Sequence, residues 1–208
     1  MQILHLDSSV LGDASASREL TLHTVDALLQ QHPAARTVYR DLAADPIAHL
    51  TGPIAAGFRS QDPQAFGAAV LAEHDRSNAL VGELLDSDVI VIGAPMYNFS
   101  VPTQLKAWVD RVTQPGRTFR YTETGPIGLT QGKRAIIVST RGGLYSEPTP
   151  HPMDFQEAYL RAVLGFMGIR EVRTVRAELL SRGPELRRQA LEAARGEALS
   201  LARWALAA

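Results

Sequence analysis

The chain has 208 residues, of which 45% are hydrophobic and 21% are charged, and its formal net charge is -1. This composition fits one globular domain over residues 1–208 and offers no basic face for nucleic acid or an anionic membrane. The absence of cysteine excludes disulfides, a thiolate nucleophile and an iron–sulfur ligand set. No stretch has the apolar length of a membrane span, and residues 1–6 lack the basic region of a signal peptide. We therefore expect a cytoplasmic protein.

The first regular segment is a short apolar strand that leads into a serine-rich loop. Residues 3–6 form the strand, and the loop continues to Ser17. Apolar residues then recur at helical spacing from Leu20 until Pro33 ends the helix. Ser15 or Ser17 could cap this helix, and the free amides at its start could equally hold a phosphate. The sequence leaves both interpretations open.

The second strand, residues 37–39, is followed by a long segment without a clear period. Residues 47–60 are rich in Pro, Gly and small side chains, and this connection is longer than most in a compact domain. Such a segment is typical of a lid, a partner contact or a mobile loop. Apolar spacing then predicts one long helix from Pro63 to Leu85, with residues 75–78 as a solvated turn of it.

An unbroken run of Val and Ile at residues 89–92 predicts a parallel strand that is buried on both faces. The loop that leaves it lies at the carboxyl end of the strand, where open α/β sheets bind ligands. This loop combines a stiff backbone, flat or soft apolar side chains and one amide; it consists of Gly93, Ala94, Pro95, Met96, Tyr97, Asn98 and Phe99. The combination suits a planar, partly polar ligand, although an ordinary strand-to-helix turn would use similar residues.

After a helix over residues 105–112, aromatic residues alternate with arginine in an excursion at residues 117–122, with residues 125–129 behind it. We interpret it either as a cover over a site or as a surface hairpin. Residues 134–139 then form a buried strand, and residues 140–143 leave its carboxyl end. The two adjacent glycines, Gly142 and Gly143, allow close approach to a ligand and present bare N–H groups, although a plain turn would use the same residues.

A helix over residues 155–167, a strand over residues 172–175 and a long helix from Pro184 complete the chain. Because strands and helices alternate throughout, we predict an α/β fold, a doubly wound five-stranded parallel sheet with helices on both faces. In the flavodoxin-like strand order 2-1-3-4-5, the loops after strands one, three and four meet at one edge of the sheet. The serine loop would then take a phosphate, and the other two would flank a flat ring.

The joint order of five motifs resembles the bacterial FMN-dependent NADH azoreductases and the wider NAD(P)H quinone reductase family. The motifs are residues 94–99, 102–106, 118–123, 141–143 and 164–168, and the similarity runs from Ser8 to about Val175. The resemblance implies a flavodoxin-like homodimer with tightly bound, non-covalent FMN and with active sites at the dimer interface. It also implies two-electron transfer from NADH or NADPH to quinones and azo compounds, for which we expect ping-pong kinetics.

The resemblance assigns cofactor contacts to all three loops. They are Ser9, Ser15, Ala16, Ser17, Pro95, Met96, Tyr97, Asn98, Phe99, Thr140, Arg141, Gly142 and Gly143. Two of these positions depart from the family pattern, because many members have Gln in place of Ala16 and Ser in place of Thr140. Any side-chain contact at position 16 is therefore lost, and backbone amides would have to serve there.

Two further groups of residues are candidates for roles around the flavin. Tyr145 and His151 are spaced like the Tyr/His pair of mammalian-type quinone reductases, for which a charge relay has been proposed; two polar residues on a loop is the simpler interpretation. The resemblance also places Phe119 and Tyr121 in the neighbouring subunit's substrate pocket. Phe166 could line that pocket or belong to the core.

The sequence excludes several other templates and leaves two rival functions. It has no Gly-x-Gly-x-x-Gly, Walker or Gly-x-Ser-x-Gly pattern, and no metal site is predicted. The main rival is a flavodoxin-like electron carrier that binds FMN and catalyses nothing alone. The nearly neutral charge and the extra segments favour the enzyme. A nucleotide-binding regulator without flavin is the third interpretation.

Overall fold

A computed structural model describes residues 1–59, 66–146 and 151–206. The strands are β1 (Gln2–Asp7), β2 (Arg36–Asp41), β3 (Val89–Pro95), β4 (Phe119–Thr122), β5 (Gly125–Gly128), β6 (Arg134–Thr140) and β7 (Glu171–Ala177). The helices are α1 (Ala16–Gln31), α2 (Gly52–Gly57), α3 (Ala68–Asp86), α4 (Thr103–Val112), α5 (Gln156–Met167) and α6 (Pro184–Leu206). No helix in the described ranges is both long and apolar enough to cross a membrane.

Five strands form one parallel sheet in the order β2-β1-β3-β6-β7. The other two, β4 and β5, pair with each other as an antiparallel hairpin between α4 and β6. When the hairpin is set aside, the order is the predicted 2-1-3-4-5, so the predicted flavodoxin-like sheet is confirmed. All seven residues of β3 are buried, as a central strand covered on both faces requires.

The two faces of the sheet are covered by different helices because successive strand residues point in opposite directions. Ile3 and Val91 pack with α1 and α6 on one face. Leu4 and Ile90 pack with α3, α4 and α5 on the other. This two-layer cover is the predicted one, and it leaves the carboxyl edge of the sheet open for loops.

The region between β2 and β3 differs from the prediction in two respects. Within residues 47–60 the structure places the short helix α2, and α3 begins at Ala68; residues 60–65, which include the predicted start at Pro63, lie outside the described part of the chain. The predicted solvated turn is wrong at Ser77, which is fully buried. The buried guanidinium of Arg111 donates a 2.7 Å hydrogen bond to the Ser77 hydroxyl, which therefore needs an inward position.

The β4–β5 hairpin is fixed by direct backbone contact with the end of α5. A Cβ atom on Gly128 would lie 2.2 Å from the backbone nitrogen of Gly168, so only glycine allows this approach. Next to it, the Thr130 hydroxyl donates a 2.6 Å hydrogen bond to the carbonyl of Met167. Since α5 starts at the carboxyl edge of the sheet and runs back along it, the hairpin lies toward the opposite, amino edge.

Candidate functional site

The three loops predicted to meet do line one cavity, at the carboxyl edge of the sheet. Its volume is about 200 Å³. The serine loop, the loop after β3 and the loop after β6 contribute Ser9, Leu11, Ala14, Ser15, Ala16, Pro95, Met96, Tyr97, Thr140, Arg141 and Gly142. A fourth loop, which follows β7, closes the remaining side. The predicted residues Ser17, Asn98, Phe99 and Gly143 belong to the same loops but are not among those that line the cavity.

The serine loop is tied to the loop after β3 by hydrogen bonds. The hydroxyl of Ser8 donates to the carbonyl of Gly93 at 2.6 Å. The hydroxyls of Ser9 and Tyr97 are joined at 3.1 Å, and the amide of Val10 donates to the Tyr97 hydroxyl at 3.2 Å. Tyr97 therefore fixes the position of one loop relative to the other.

The start of α1 offers unpaired amide groups to the cavity. Ser15 is the N-cap, and its hydroxyl accepts a hydrogen bond from the amide of Arg18 at 3.2 Å. Of the two predicted capping residues, the structure therefore selects Ser15. In the described part of the chain, the amides of Ala16 and Ser17 donate to no protein acceptor, although both residues are buried. Free, desolvated amides at the positive end of a helix favour an anion.

The loop after β3 turns sharply at two residues with left-handed backbone. Tyr97 and Ser100 exchange backbone hydrogen bonds of 3.0 and 3.1 Å around a two-residue turn. Its central residues, Asn98 and Phe99, have φ values of 48° and 71°. Positive φ at both positions is the pattern of a type I′ turn, and for a bulky residue such as Phe99 it is strained. The amide of Phe155, just before α5, donates to the Phe99 carbonyl at 3.1 Å and so holds the turn.

The loop after β6 presents its backbone to the cavity and its arginine side chain to the interior. Gly142 is exposed, and within the described ranges neither its amide nor that of Gly143 donates to a protein acceptor. Arg141, by contrast, is 2% exposed, and its backbone amide donates to the Ala177 carbonyl at 2.9 Å. Its guanidinium is engaged by buried carboxylates, so a side-chain contact of Arg141 with a ligand finds no support in this geometry.

The two relay candidates lie side by side. The rings of Tyr145 and His151 are 5.3 Å apart, edge to face, and the amide of His151 donates to the Tyr145 carbonyl at 2.8 Å. His151 Nδ1 accepts a 3.1 Å hydrogen bond from the amide of Met153, so a neutral His151 carries its proton on Nε2. Tyr145 also lies 6.5 Å from the Phe99 ring. Their part in chemistry stays a prediction.

The three substrate-pocket candidates form a separate aromatic cluster. The Phe119 ring lies 4.6 Å from that of Phe166 and 5.3 Å from that of Tyr121. They border a cavity of about 520 Å³ whose other walls come from α2 and the end of α4. Phe166 is half-buried, so it serves both the pocket wall and the hairpin contact. This cavity shares no residue with the one at the carboxyl edge.

Sequence reasoning missed the fourth loop of the site, which follows β7. Its amides at Leu180 and Ser181 donate to the carbonyls of Arg141 and Gly142, each at 3.1 Å. Arg187, in the first turn of α6, also lines the cavity, and among the described residues its guanidinium has no hydrogen bond or ion pair. The strand order alone could have indicated this loop, because β7 is the neighbour of β6.

The fold and this cavity define a doubly wound α/β protein with its candidate ligand site at the carboxyl edge of the sheet. Residues 1–201 match the family described as having a flavodoxin-like fold, and the chain belongs to that family. An FMN-dependent NADH:quinone oxidoreductase of Ralstonia nicotianae is 62% identical over 208 residues, which is 100% of both chains. A protein of the same name from Azospirillum brasilense is 52% identical over 203 residues, 97% of this chain and 98% of the relative.

Solved structures show the same architecture. An azoreductase from Bacillus anthracis superposes with a TM-score of 0.86 at 23% identity, over 97% of this chain and 98% of that one. An FMN-dependent NADH-azoreductase from the same species, in complex with FMN, gives a TM-score of 0.88 at 22% identity over 97% of each chain. At such identities the likeness shows the fold.

Proposed function

We propose that this chain is an FMN-dependent oxidoreductase that transfers two electrons from NADH to quinones and azo compounds. The observation that carries the proposal is that one cavity is lined both by Ala16, at the start of α1, and by Gly142, in the loop after β6, whose amides have no protein acceptor in the described ranges. The close relatives that bear the name FMN-dependent NADH:quinone oxidoreductase support the same reaction class.

The residues around the cavity match the chemical parts of FMN. Ser9, Ser15 and the amide of Ala16, with that of Ser17 next to it, would offer hydroxyl and N–H donors to a phosphate. Arg187, whose guanidinium has no partner in the described part of the chain, would add a positive charge. Met96 and Tyr97 offer flat or polarisable surface for a ring system. Bound FMN would supply the hydride and electron-transfer chemistry that the side chains lack.

The chain's own residues would bind and orient the cofactor and stabilise charge. Within the described residues the amides of Gly142 and Gly143 have no protein acceptor, and they would favour negative charge on the polar edge of a bound ring. No side-chain acid is required by this scheme, because solvent can deliver the proton to the product. Donor and acceptor would use the same open face in turn, which gives ping-pong kinetics.

The size of the cavity supports a site that a second subunit completes. A volume of about 200 Å³ lies below the usual range of ligand pockets, about 300 to 1,000 Å³, so one chain encloses only part of a flavin. Apolar side chains also lie exposed near this edge: Leu11, Phe99, Leu144, Met153 and Phe155. Apolar surface around an incomplete pocket is typical of an interface. We therefore propose a homodimer. The proposal also keeps two expectations from the sequence, that each chain is one domain and that the protein is cytoplasmic.

The aromatic cluster would then serve the partner's site. Phe119, Tyr121 and Phe166 lie near the ends of α4 and α5, toward the amino edge of the sheet. The cofactor cavity lies at the carboxyl edge, about 15 Å away by the ten-residue length of α4. Since one chain cannot bring the two together, a shared site needs two chains.

Rapid mixing of the FMN-loaded protein with NADH, followed by a benzoquinone or an azo dye, tests the reaction. We expect bleaching of the flavin absorbance by NADH and its return on addition of either acceptor. Steady-state rates at varied NADH and acceptor concentrations should give parallel lines in double-reciprocal plots. A flavin that NADH does not bleach would indicate the electron carrier. A protein that binds no flavin would refute both, and intersecting lines would refute the ping-pong order.

Complementation tests the shared site. Gly142→Val would damage the cofactor cavity, and Tyr121→Ala would damage the aromatic cluster. If the two variants are unfolded and refolded together and assayed at an FMN concentration at which neither is active alone, half of the dimers are mixed and each carries one intact site, so about a quarter of the wild-type sites return. Tyr159→Phe refolded with Gly142→Val is the control for refolding yield, because half of the wild-type sites return there whether or not the chains mix, and native mass spectrometry confirms that mixed dimers have formed. No recovery in the mixture of Gly142→Val and Tyr121→Ala would refute the arrangement.

A further inference from the structure

The side chain of Arg141 is the centre of a buried ion cluster that the proposed chemistry does not use. Its guanidinium is fully buried and lies 2.9 Å from Asp154, 2.8 Å from Glu157 and 3.0 Å from Glu178. Its Nε donates to the hydroxyl of Ser139 at 3.1 Å and to Gln156 Oε1 at 2.9 Å. Every nitrogen of the guanidinium therefore has a protein acceptor, and the whole group is buried away from the cavity surface.

Stability alone is a poor reason for such a cluster. Three carboxylates surround two guanidiniums, those of Arg141 and Arg176, so one negative charge is in excess. The desolvation of buried charges offsets most of their attraction, and well-packed apolar residues often stabilise a fold as well or better. A role in fixing one conformation is the better explanation, because the carboxylates bound to Arg141 are in turn linked to the loops after β3 and β6.

One path from Arg141 leads to Tyr145. Glu178 Oε1 accepts from Arg141 Nη1 at 3.0 Å and from the amide of Tyr145 at 2.9 Å. Its second oxygen accepts from the hydroxyl of Ser146. Glu178 therefore joins Arg141 to Tyr145 and Ser146, which follow the Gly142-Gly143 pair closely in the chain. The arginine also lies 5.8 Å from the centre of the Tyr145 ring.

A second path leads to the strained turn after β3. Arg141 holds Asp154, and the next residue, Phe155, donates its amide to the carbonyl of Phe99 at 3.1 Å. Phe99 has a φ of 71°, a conformation that persists only where the surroundings enforce it. Gln156, also bound to Arg141, donates to the carbonyl of Ala94 at 2.5 Å. Through these residues Arg141 is linked to the loop after β3 at two points, Ala94 at its start and Phe99 in the turn.

We propose that Arg141 is a positioning residue, which holds Tyr145 through Glu178 and Phe99 through Asp154 and Phe155. Without ligand contact of its own, it fixes the two loops that flank the ring of the cofactor. The proposal rests on the proposed function for the identity of that cofactor, but the loop order that it describes exists without FMN. Loop order and FMN affinity can therefore be measured separately.

Hydrogen exchange of the FMN-free protein measures the loop order. We expect Arg141→Met to speed exchange at the amides of Tyr145 and Phe155, because Arg141 holds Glu178, the acceptor of the Tyr145 amide, and Asp154, the residue that precedes Phe155. Glu178→Ala should speed exchange at Tyr145 alone. That variant leaves two carboxylates with two guanidiniums, so it is balanced in charge and guards against a general loss of folding. Arg176→Gln removes the half-exposed partner of Glu157 and is the matched control with unchanged exchange at both amides.

Titration with FMN measures the consequence for the site. A loop that must be ordered at the moment of binding lowers affinity, so Arg141→Met should weaken FMN binding by about tenfold or more and Arg176→Gln by less than about twofold. The effects of Glu178→Ala and Tyr145→Ala should be non-additive, because they act on one contact path.

Each result has a separate meaning. A folded Arg141→Met protein with wild-type exchange at both amides would overturn the positioning role whatever the ligand. Additive effects of Glu178→Ala and Tyr145→Ala on FMN affinity would overturn the path through Glu178. A wild-type protein that binds no FMN would refute the proposed function, while the exchange data would still decide the role of Arg141 in loop order.

Discussion

Replacing Tyr97 by phenylalanine tests whether this residue joins the serine loop to the loop after β3. The change removes only the hydroxyl, which bonds to the Ser9 hydroxyl at 3.1 Å and accepts from the amide of Val10 at 3.2 Å. A net hydrogen bond contributes about 0.5 to 1.5 kcal/mol. Both of these are long, and Val10 is 57% exposed, so water replaces part of the loss and about 1 kcal/mol in total is expected.

If both loops bind FMN, the loss of the hydrogen bonds between them weakens FMN binding. At 1.4 kcal/mol for each factor of ten, about 1 kcal/mol corresponds to about a fivefold higher Kd for FMN. Flavin fluorescence titration measures it, and urea unfolding measures stability separately. Tyr159→Phe is the matched control, because the Tyr159 hydroxyl on α5 makes no hydrogen bond within the described ranges. A Tyr97→Phe protein whose Kd stays within about twofold of wild type would refute the coupling of the loops.

Three further predictions concern the same edge of the sheet. A Cβ at position 142 would lie 2.8 Å from the Ser181 hydroxyl, so Gly142→Val should part the two loops and raise the Kd for FMN by about tenfold or more in the same titration. Arg187→Gln should weaken FMN about three- to tenfold while riboflavin, which lacks the phosphate, binds unchanged; equal losses for both would refute a phosphate contact. Burial opposes ionisation of Glu157, but the hydrogen bond and charge of Arg176 and the charge of Arg141 outweigh it and hold its pKa below the ordinary 4.5. A depressed folded pKa contributes stability above the unfolded value that is lost as pH falls through the folded one, so Glu157→Gln should flatten the acid side of the urea-unfolding profile, and an unchanged acid slope would contradict this.

The sheet and its ligand edge could be predicted because their signals are local. The Val and Ile run of β3 is apolar at every position, which only a strand covered on both faces tolerates, and the structure buries all of it. Once the alternation of strands and helices gives the strand order, the meeting of three loops follows from topology. The binding roles of the individual loop residues stay predictions.

Side-chain direction could not be predicted, because it depends on partners far away in sequence. Arg141 stands between two cavity-lining residues, but its guanidinium turns inward to carboxylates at positions 154, 157 and 178. Ser77 looked like part of a solvated turn, but Arg111 on α4 needs its hydroxyl in the interior. In both cases a buried arginine recruits acceptors, and composition alone gives no sign of which arginine will be buried.

The position of the hairpin gives the strongest argument for a shared active site. The sequence placed the Phe119 and Tyr121 excursion after a helix and could not tell which edge of the sheet it would reach. The contact of Gly128 with the end of α5 places it toward the amino edge, whereas the free amides lie at the carboxyl edge. Two cavities at opposite edges of the sheet, about 15 Å apart by the length of α4, are too far apart for one small substrate to contact both within one chain. If the aromatic cluster contacts the acceptor, it does so in a neighbour's cofactor site, and activity then depends on protein concentration as the dimer does.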